Sequence, residues 1–341
     1  MTIPQKPTKR RRATLQAVAD LAGVNRVTAA VALGRSPQGG TRVSKTTRQR
    51  ILAAAQQLGY APNALARALR NERTNIIGYY AGYEALDAHT PFMAAILQGL
   101  QRSCRAHQQD LMLFGSFERD TVESIYATLA SGKIDGLVIM PTPRSPITDR
   151  LFDAHLPVVA IANAHPSVPS VVVDDEASGE LIVQKLAQKG HRRILYRSHE
   201  EPRVSVMRRQ ASFLAAATRH NLQVVVTYSQ QDHELSSNEL AILAQPAEHR
   251  PTAAVCWTDL NAYALLTTCE SLGLRVPQDL AIIGFDGIPM RVRPERALTT
   301  VVAPWVEVAA TAVDQLFALL AGQPVPAETC LPVSLHLGDT A

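Results

Sequence analysis

Between residues 25 and 31 the chain reads Asn25-Arg26-Val27-Thr28-Ala29-Ala30-Val31, a run whose side chains suit recognition of a nucleic-acid duplex. Arg26 carries the base-reading chemistry, because a guanidinium can fork onto guanine O6 and N7 in a major groove or bond a phosphate instead. Val27 and Val31 offer only apolar contact, for instance to a thymine methyl, unless they belong to the core. Asn25 and Thr28 suit phosphate oxygens. A second run, Tyr60 to Arg70, sets Leu69 beside Arg67 and Arg70, a side chain able to wedge between base steps with guanidiniums next to it. Other chemistries lack residues to carry them. Cys104, Cys256, Cys269 and Cys330 stand far apart with no metal-ligand spacing, and they read as buried reduced thiols. There is no glycine-rich phosphate loop and no paired nucleophile and base, and His191 and His199 have no evident partner. The expectation is a protein that is not an enzyme and has no catalytic residue, metal or cofactor.

The elements that must position Arg26 follow from spacing. Thr14 precedes Leu15, Val18, Ala19 and Ala22, an i, i+3, i+4, i+7 pattern with a hydroxyl cap. Gly23 breaks that helix, Asn25 caps a second through Leu33, and Thr46 begins a third with Ile51, Leu52, Ala55 and Leu58 on one stripe. Helix, glycine turn, helix and third helix is the layout of a helix-turn-helix module, whose second helix enters the major groove. Pro62 then starts a short helix that needs outside support, with Ala64, Ala66 and Ala68 small enough for close approach of a twin. A plain interdomain linker is the other reading of this stretch.

Charge divides the chain at the same place. Residues 1–75 hold 3 Lys and 11 Arg against Asp20 and Glu72, a balance of +12, while the whole chain of 341 residues carries only +4, leaving −8 for the remainder. A short basic module ahead of a long acidic one points to a polyanion as partner of the first. No apolar run of membrane length or signal-peptide core appears, so a cytoplasmic protein without membrane association is expected.

Beyond residue 75, β-rich runs alternate with helical stretches. Strands are expected at 76–81, 111–114, 136–140 and 158–161, with helices at 92–108 and 121–132. A second series has strands at 193–196, 224–228, 253–257 and 280–284, with helices at 177–189, 204–220 and 259–272. Two parallel-sheet α/β subdomains with a ligand cleft at the carboxyl ends of their strands account for this pattern.

Leu15-Gln16-Ala17-Val18-Ala19-Asp20-Leu21-Ala22-Gly23-Val24, Arg42-Val43-Ser44 and Leu58-Gly59-Tyr60-Ala61-Pro62-Asn63-Ala64-Leu65-Ala66-Arg67 resemble the headpiece and hinge of the lactose-repressor (LacI/GalR) family. Later segments, among them Lys133-Ile134-Asp135-Gly136, Gly190-His191-Arg192-Arg193-Ile194 and Ile283-Gly284-Phe285-Asp286, fall in family order. The resemblance implies an all-α helix-turn-helix headpiece (13–60) after a basic leader (1–12). A hinge helix and linker (61–74) and a periplasmic-binding-protein-like core of two interleaved subdomains (75–341) would follow. It implies a transcriptional regulator, usually a repressor, in which a homodimer binds double-stranded operator DNA under control of a small effector, with sugars or sugar acids favoured. The DNA-contacting set is then Thr14, Asn25, Arg26, Val27, Thr28, Val31, Arg42, Asn63, Arg67 and Leu69. In the cleft, Arg209 falls on the family's effector-binding arginine and Asp286 on its cleft aspartate, and Thr258-Asp259 fills a slot that is usually Asn-Asp. Trp257, Tyr79, Tyr80 and Phe92 can form an aromatic wall for a sugar ring or belong to the core, and Asp174 is either a cleft acid or a helix cap.

Two departures matter. Ala29, Ala30 and Val31 stand where the family usually has Val-Ser-Arg, which removes a phosphate-binding hydroxyl and a base-reading arginine. The loop from Gly34 to Arg42 is also longer than usual. They keep a second class of function open, a small-molecule binding protein whose DNA binding is secondary or lost. Surfaces near 92–108 and 210–220 are candidates for the dimer contact, and the C-terminal sequence has no leucine heptad that would make a tetramer.

Overall fold

A computed structural model describes residues 13–34, 43–61, 68, 72–82, 90–115, 121–141, 146–152, 156–229, 234–287 and 296–341. The leader, Arg42 and most of the proposed hinge, including Asn63, Arg67 and Leu69, lie outside them. The chain forms two compact units, residues 1–74 and 75–341.

The first unit is three helices: α1 (Leu15–Leu21), α2 (Arg26–Ala32) and α3 (Lys45–Gln57). Each starts on a polar side chain that accepts an otherwise unpaired backbone N–H: Thr14 Oγ1 from Ala17 at 3.1 Å, Asn25 Oδ1 from Thr28 at 2.7 Å, and Ser44 Oγ from Thr47 at 3.2 Å. The third helix therefore begins at Lys45 under a Ser44 cap, ahead of the expected Thr46. Its buried stripe is Ile51, Ala54 and Ala55, while Leu52 and Leu58 are exposed, because the facing surface of α1 and α2 is built of alanines that admit small side chains closely. Gly23 takes φ +64°, the left-handed conformation that closes the turn between α1 and α2. Arg48 Nη1 donates to the Ala32 carbonyl at 2.9 Å and so ties α3 to the end of α2.

The second unit contains two six-stranded sheets. Strands β1 (Ile76–Tyr80), β2 (Asp110–Phe114), β3 (Gly136–Ile139), β4 (Val158–Ile161), β5 (Ser170–Val173) and β11 (Glu328–Leu331) form one in the order β11-β5-β4-β3-β1-β2, all parallel. Strands β6 (Arg193–His199), β7 (Gln223–Ser229), β8 (Ala253–Cys256), β9 (Ala281–Asp286), β10 (Thr299–Val302) and β12 (Ser334–His336) form the other, β12-β10-β9-β8-β6-β7, with only β12 antiparallel. The helices are α4 (Pro91–Ala106), α5 (Val122–Leu129), α6 (Ile147–Phe152), α7 (Asp175–Gln188), α8 (Val204–Arg219), α9 (Ser237–Leu243), α10 (Asp259–Ser271) and α11 (Trp305–Leu320). The chain passes between subdomains at 174, at 303–304 and at 332–333, so the two subdomains interleave.

Strand alternation sorts the core. Ile77, Tyr79 and Val138 join the cluster that also holds Ile194, Tyr196 and Phe213, whereas Tyr80, Leu137 and Ile139 face the layer beneath α5. The helix faces near 92–108 and 210–220 are spent inside the protomer: Met93, Ile96, Leu100 and Cys104 of α4 pack with α11, and Phe213, Ala216 and Ala217 of α8 pack with α7. Of the four thiols, Cys104, Cys256 and Cys269 are buried, but Cys330 is exposed because β11 is an edge strand. Among the described residues no helix is long and apolar enough to cross a membrane, and no group of three or more acidic, His or Cys side chains is placed to hold a metal.

Candidate nucleic-acid interface and ligand cleft

In the first unit the start of α2 presents a row of outward side chains. Arg26 is exposed and Val27 is 62% exposed, so Val27 is not core; Thr28 and Val31 are half-buried, and Ala29 and Ala32 face inward. Val27 and Arg26, adjacent and both outward, are therefore open to an external surface. The caps on Asn25 and Thr14 use only acceptor oxygens, which leaves the Asn25 amide N–H groups and the Thr14 hydroxyl proton for phosphate oxygens.

In the second unit the strand order reverses between β1 and β3 and between β6 and β8, and a crevice opens at the carboxyl ends of strands at such switch points. Arg209 reaches this region from the second turn of α8 and is nearly buried. Its Nε donates to Asp175 Oδ1 at 2.7 Å, its Nη1 donates to the Trp257 carbonyl at 3.2 Å, and its guanidinium carbon lies 3.5 Å from the centre of the Phe285 ring. Close approach of α7 and α8 makes the pair possible, because Gly179 leaves no side chain against Ser212 and Phe213. Burial pushes the Asp175 carboxyl above its ordinary value, and the Arg209 guanidinium pulls it back.

Asp286 ends β9 with φ 126°, a conformation that side chains rarely adopt, and its Oδ1 accepts from Trp305 Nε1 at 3.1 Å. Burial, and next the nearby charge of Asp259, raise the Asp286 carboxyl well above 3.8. Trp305 in turn meets Phe92 edge-on at 4.9 Å, so the first subdomain supplies an aromatic corner over the aspartate of the second. Trp257 follows β8 and meets the His199 ring at 4.8 Å; its indole N–H is buried without an acceptor among the described residues. Between the subdomains, Asn163 Oδ1 accepts from Ser205 N at 3.1 Å and Ser205 Oγ at 2.9 Å, capping α8, whose own N-cap Arg203 makes no side-chain cap bond.

Arg209, Trp257, Asp286 and Phe92 are thus brought into one region, and three other expected residues stand differently. Tyr80 is fully buried among Phe114, Ile125 and Leu129, on the opposite face of β1 from Tyr79, and is core. Asp174 caps α7, accepting from Ala177 N at 2.8 Å, and it is the next residue, Asp175, that meets the arginine. Thr258 caps α10 by accepting from Asn261 N, and Asp259 beside it is tied to Gly287 N at 2.9 Å and Thr300 Oγ1 at 2.5 Å, so Thr258 holds the start of a helix and Asp259 ties the end of β9 to β10. The sequence reading missed Asp175, Trp305 and Phe285, which come together from three separate stretches. It also missed the fully buried pair of Arg197 and Glu239 at 2.7 Å, which pins α9 and the Asn261 carbonyl under the second sheet. An arginine inside the β-run Ile194-Leu195-Tyr196-Arg197 is the one sequence signal that pointed there.

The lacI family model of bacterial regulatory proteins matches residues 14–63, and a periplasmic binding protein-like domain model matches residues 183–341. The chain is 31% identical over 306 residues to the HTH-type transcriptional repressor PurR of Serratia proteamaculans (strain 568), covering 86% of each. It is 29% identical over 321 residues to that of Aliivibrio fischeri (strain ATCC 700601 / ES114), covering 89% of this chain and 90% of the other. Among solved structures, the lac repressor dimer bound to operator and the anti-inducer ONPF matches with a TM-score of 0.84 at 24% identity, covering 97% of this chain and 99% of that one, a likeness of fold.

Proposed function

Because the chain belongs to the lacI family of bacterial regulatory proteins, as a transcriptional repressor with a DNA-binding headpiece and an effector-binding core, we propose how its own residues do that work. Arg26 reads a base edge in the major groove while Val27 packs on a thymine methyl, with Val31 at the margin of that contact. Asn25, Thr28 and Thr14 hold phosphates. Arg42, Asn63, Arg67 and Leu69 extend the contact, Leu69 as a minor-groove wedge that bends the operator. The observation that carries this reading is the 62% exposure of Val27 beside Arg26 on a unit whose sequence balance is +12.

A small effector, for which a sugar ring is our reading, binds in the cleft of the core against Trp257, Trp305 and Phe92 and meets Arg209 and Asp286. Aromatic faces suit the apolar side of a ring, and the buried polar groups fix its edge. The effector acts by favouring one arrangement of the two subdomains over another, and operator affinity changes by the same coupling. Two copies meet through the outer strands β2 and β7, where Leu113, Val225 and Tyr228 are 46%, 47% and 54% exposed. The dimer acts in the cytoplasm, where its operator lies.

The test is selection of bound duplexes from a random library by the purified protein at one stated salt concentration, without effector. Enrichment of a palindrome with a central pyrimidine–purine step is the expected outcome. A pool that stays random favours the binding-module reading, in which Ala30 and Val31 have cost the headpiece its specificity.

A further inference from the structure

The pairing of Arg209 decides what the cleft can accept, given the reading of that cleft as the effector site. An arginine in a small-molecule pocket ordinarily serves a carboxylate or phosphate, because its planar fork matches their oxygens. Here its charge is already matched and part of the fork is taken. Asp175 takes Nε at 2.7 Å, the Trp257 carbonyl takes Nη1, and Phe285 covers one face of the guanidinium at 3.5 Å. Asp286 and Asp259 place two more buried carboxyls nearby. Two neighbouring cations among the described residues are committed as well: Arg208 holds both oxygens of Glu328 at 2.8 and 2.9 Å, and Arg203 holds Glu201 at 3.0 Å.

An anion entering this region gives up its water and meets a guanidinium whose charge the Asp175 carboxylate already matches. Among the described residues around Arg209, no uncommitted cation replaces the lost hydration. The unspent groups serve neutral chemistry instead. They are the buried Trp257 indole N–H without an acceptor, the Trp305 and Phe92 rings, and the remaining guanidinium N–H groups, which suit a hydroxyl or carbonyl oxygen. We infer that the effector is uncharged, a ring with an apolar face and a hydrogen-bonding edge such as an unmodified sugar, and that Asp175 excludes sugar acids and sugar phosphates by occupying Arg209.

The test uses the full-length protein with inorganic phosphate and D-gluconate as anionic probes, in thermal unfolding at ionic strength held constant with chloride. The wild type is expected to show no saturable shift with either anion. Asp175→Asn is expected to gain one, half-saturating at a concentration at least tenfold below any wild-type response and absent in the Asp175→Asn/Arg209→Gln double variant. Saturable stabilisation of the wild type that is lost in Arg209→Gln overturns the inference. So does a folded Asp175→Asn protein that gains no anion. Should that variant fail to fold, the wild type against Arg209→Gln decides alone.

Operator binding in the presence of D-galactose, D-ribose and D-gluconate keeps this separate from the reading it rests on. An anion that changes operator affinity through Arg209 sinks neutrality and upholds the effector site. If ligands of neither charge change it, the cleft is not regulatory, and the phosphate comparison still decides whether Asp175 bars anions.

Discussion

Gly179→Ala should loosen the core and the Arg209 contact together. An ideal Cβ on Gly179 would lie 2.5 Å from Phe213 N and 2.6 Å from the Ser212 carbonyl carbon, and nearer still to Ser212 Oγ. Heavy atoms of this kind pack best at roughly 3.5–4.0 Å, so α7 and α8 must part by about 1 Å. Asp175 stands one turn before Gly179, and Arg209 one turn before Phe213, so the separation falls on the pair directly. Adding about 1 Å to the 2.7 Å between Arg209 Nε and Asp175 Oδ1 breaks that hydrogen bond. Overpacking costs about 1–3 kcal/mol. Loss of a buried hydrogen bond to a charged group adds about 1.5–3 kcal/mol, and we expect a total of roughly 3–5 kcal/mol on the same grounds. The chain has two tryptophans, both in the 75–341 unit: Trp257 accepts from Arg209 through its carbonyl, and the Trp305 ring lies 5.9 Å from the Arg209 guanidinium carbon, so their fluorescence during urea unfolding reports on the core. The expected result is a lower midpoint at unchanged slope and an altered native emission. Unfolding within about 0.5 kcal/mol of the wild type, a change typical of surface sites, with unchanged emission would refute the claim that helix packing sets the arginine.

Arg26→Ala should cost about 1–3 kcal/mol at one base pair of the selected operator and relax preference there, measured by binding to single-substituted duplexes; an equal loss on every duplex makes Arg26 a phosphate contact. Glu239→Gln leaves Arg197 buried without its charge partner and should destabilise the core by about 3–5 kcal/mol. Burial works to raise the Glu239 carboxyl, but bonds from Arg197, Ser236 and Thr227 hold it lower than usual. Its stabilisation is therefore present above the ordinary carboxylate range and lost as pH falls through the depressed value, a slope that circular dichroism should find missing in the Gln variant. Asp286 is the opposite case. Its raised carboxyl contributes stability that is complete below 3.8 and lost as pH rises through the raised value, so the advantage of Asp286→Asn in urea midpoint should grow with pH. Parallel curves for the two proteins would remove the buried proton from Asp286.

The headpiece was legible from sequence because its determinants are local. Thr14, Asn25 and Gly23 each act within three or four residues of their own position, as caps and a left-handed turn, and the apolar spacing of α1 names its buried face without outside information. Alternating β-rich and helical runs likewise identified eight of the strands and the α/β class, since each is a property of a short window. Strands β5, β10, β11 and β12 and helices α6, α9 and α11 were missed; β11 and β12 are short edge strands whose pairing comes from chain segments more than a hundred and about thirty residues away respectively.

Which cleft residues meet was settled by packing alone. Nothing in Asp174-Asp175 says which carboxylate caps α7 and which turns to α8; the helix register and the gap at Gly179 decide it. Tyr79 and Tyr80 are equivalent in the sequence, and one step of strand alternation sends them to different layers of the core. By itself the sequence determined the fold class, the three-helix headpiece and the place of Arg209 on its helix. The tertiary structure decided that Arg209 is already neutralised, because the distance from Arg209 to Asp175 depends on two helices drawn together from separate stretches of chain, and no local pattern encodes it.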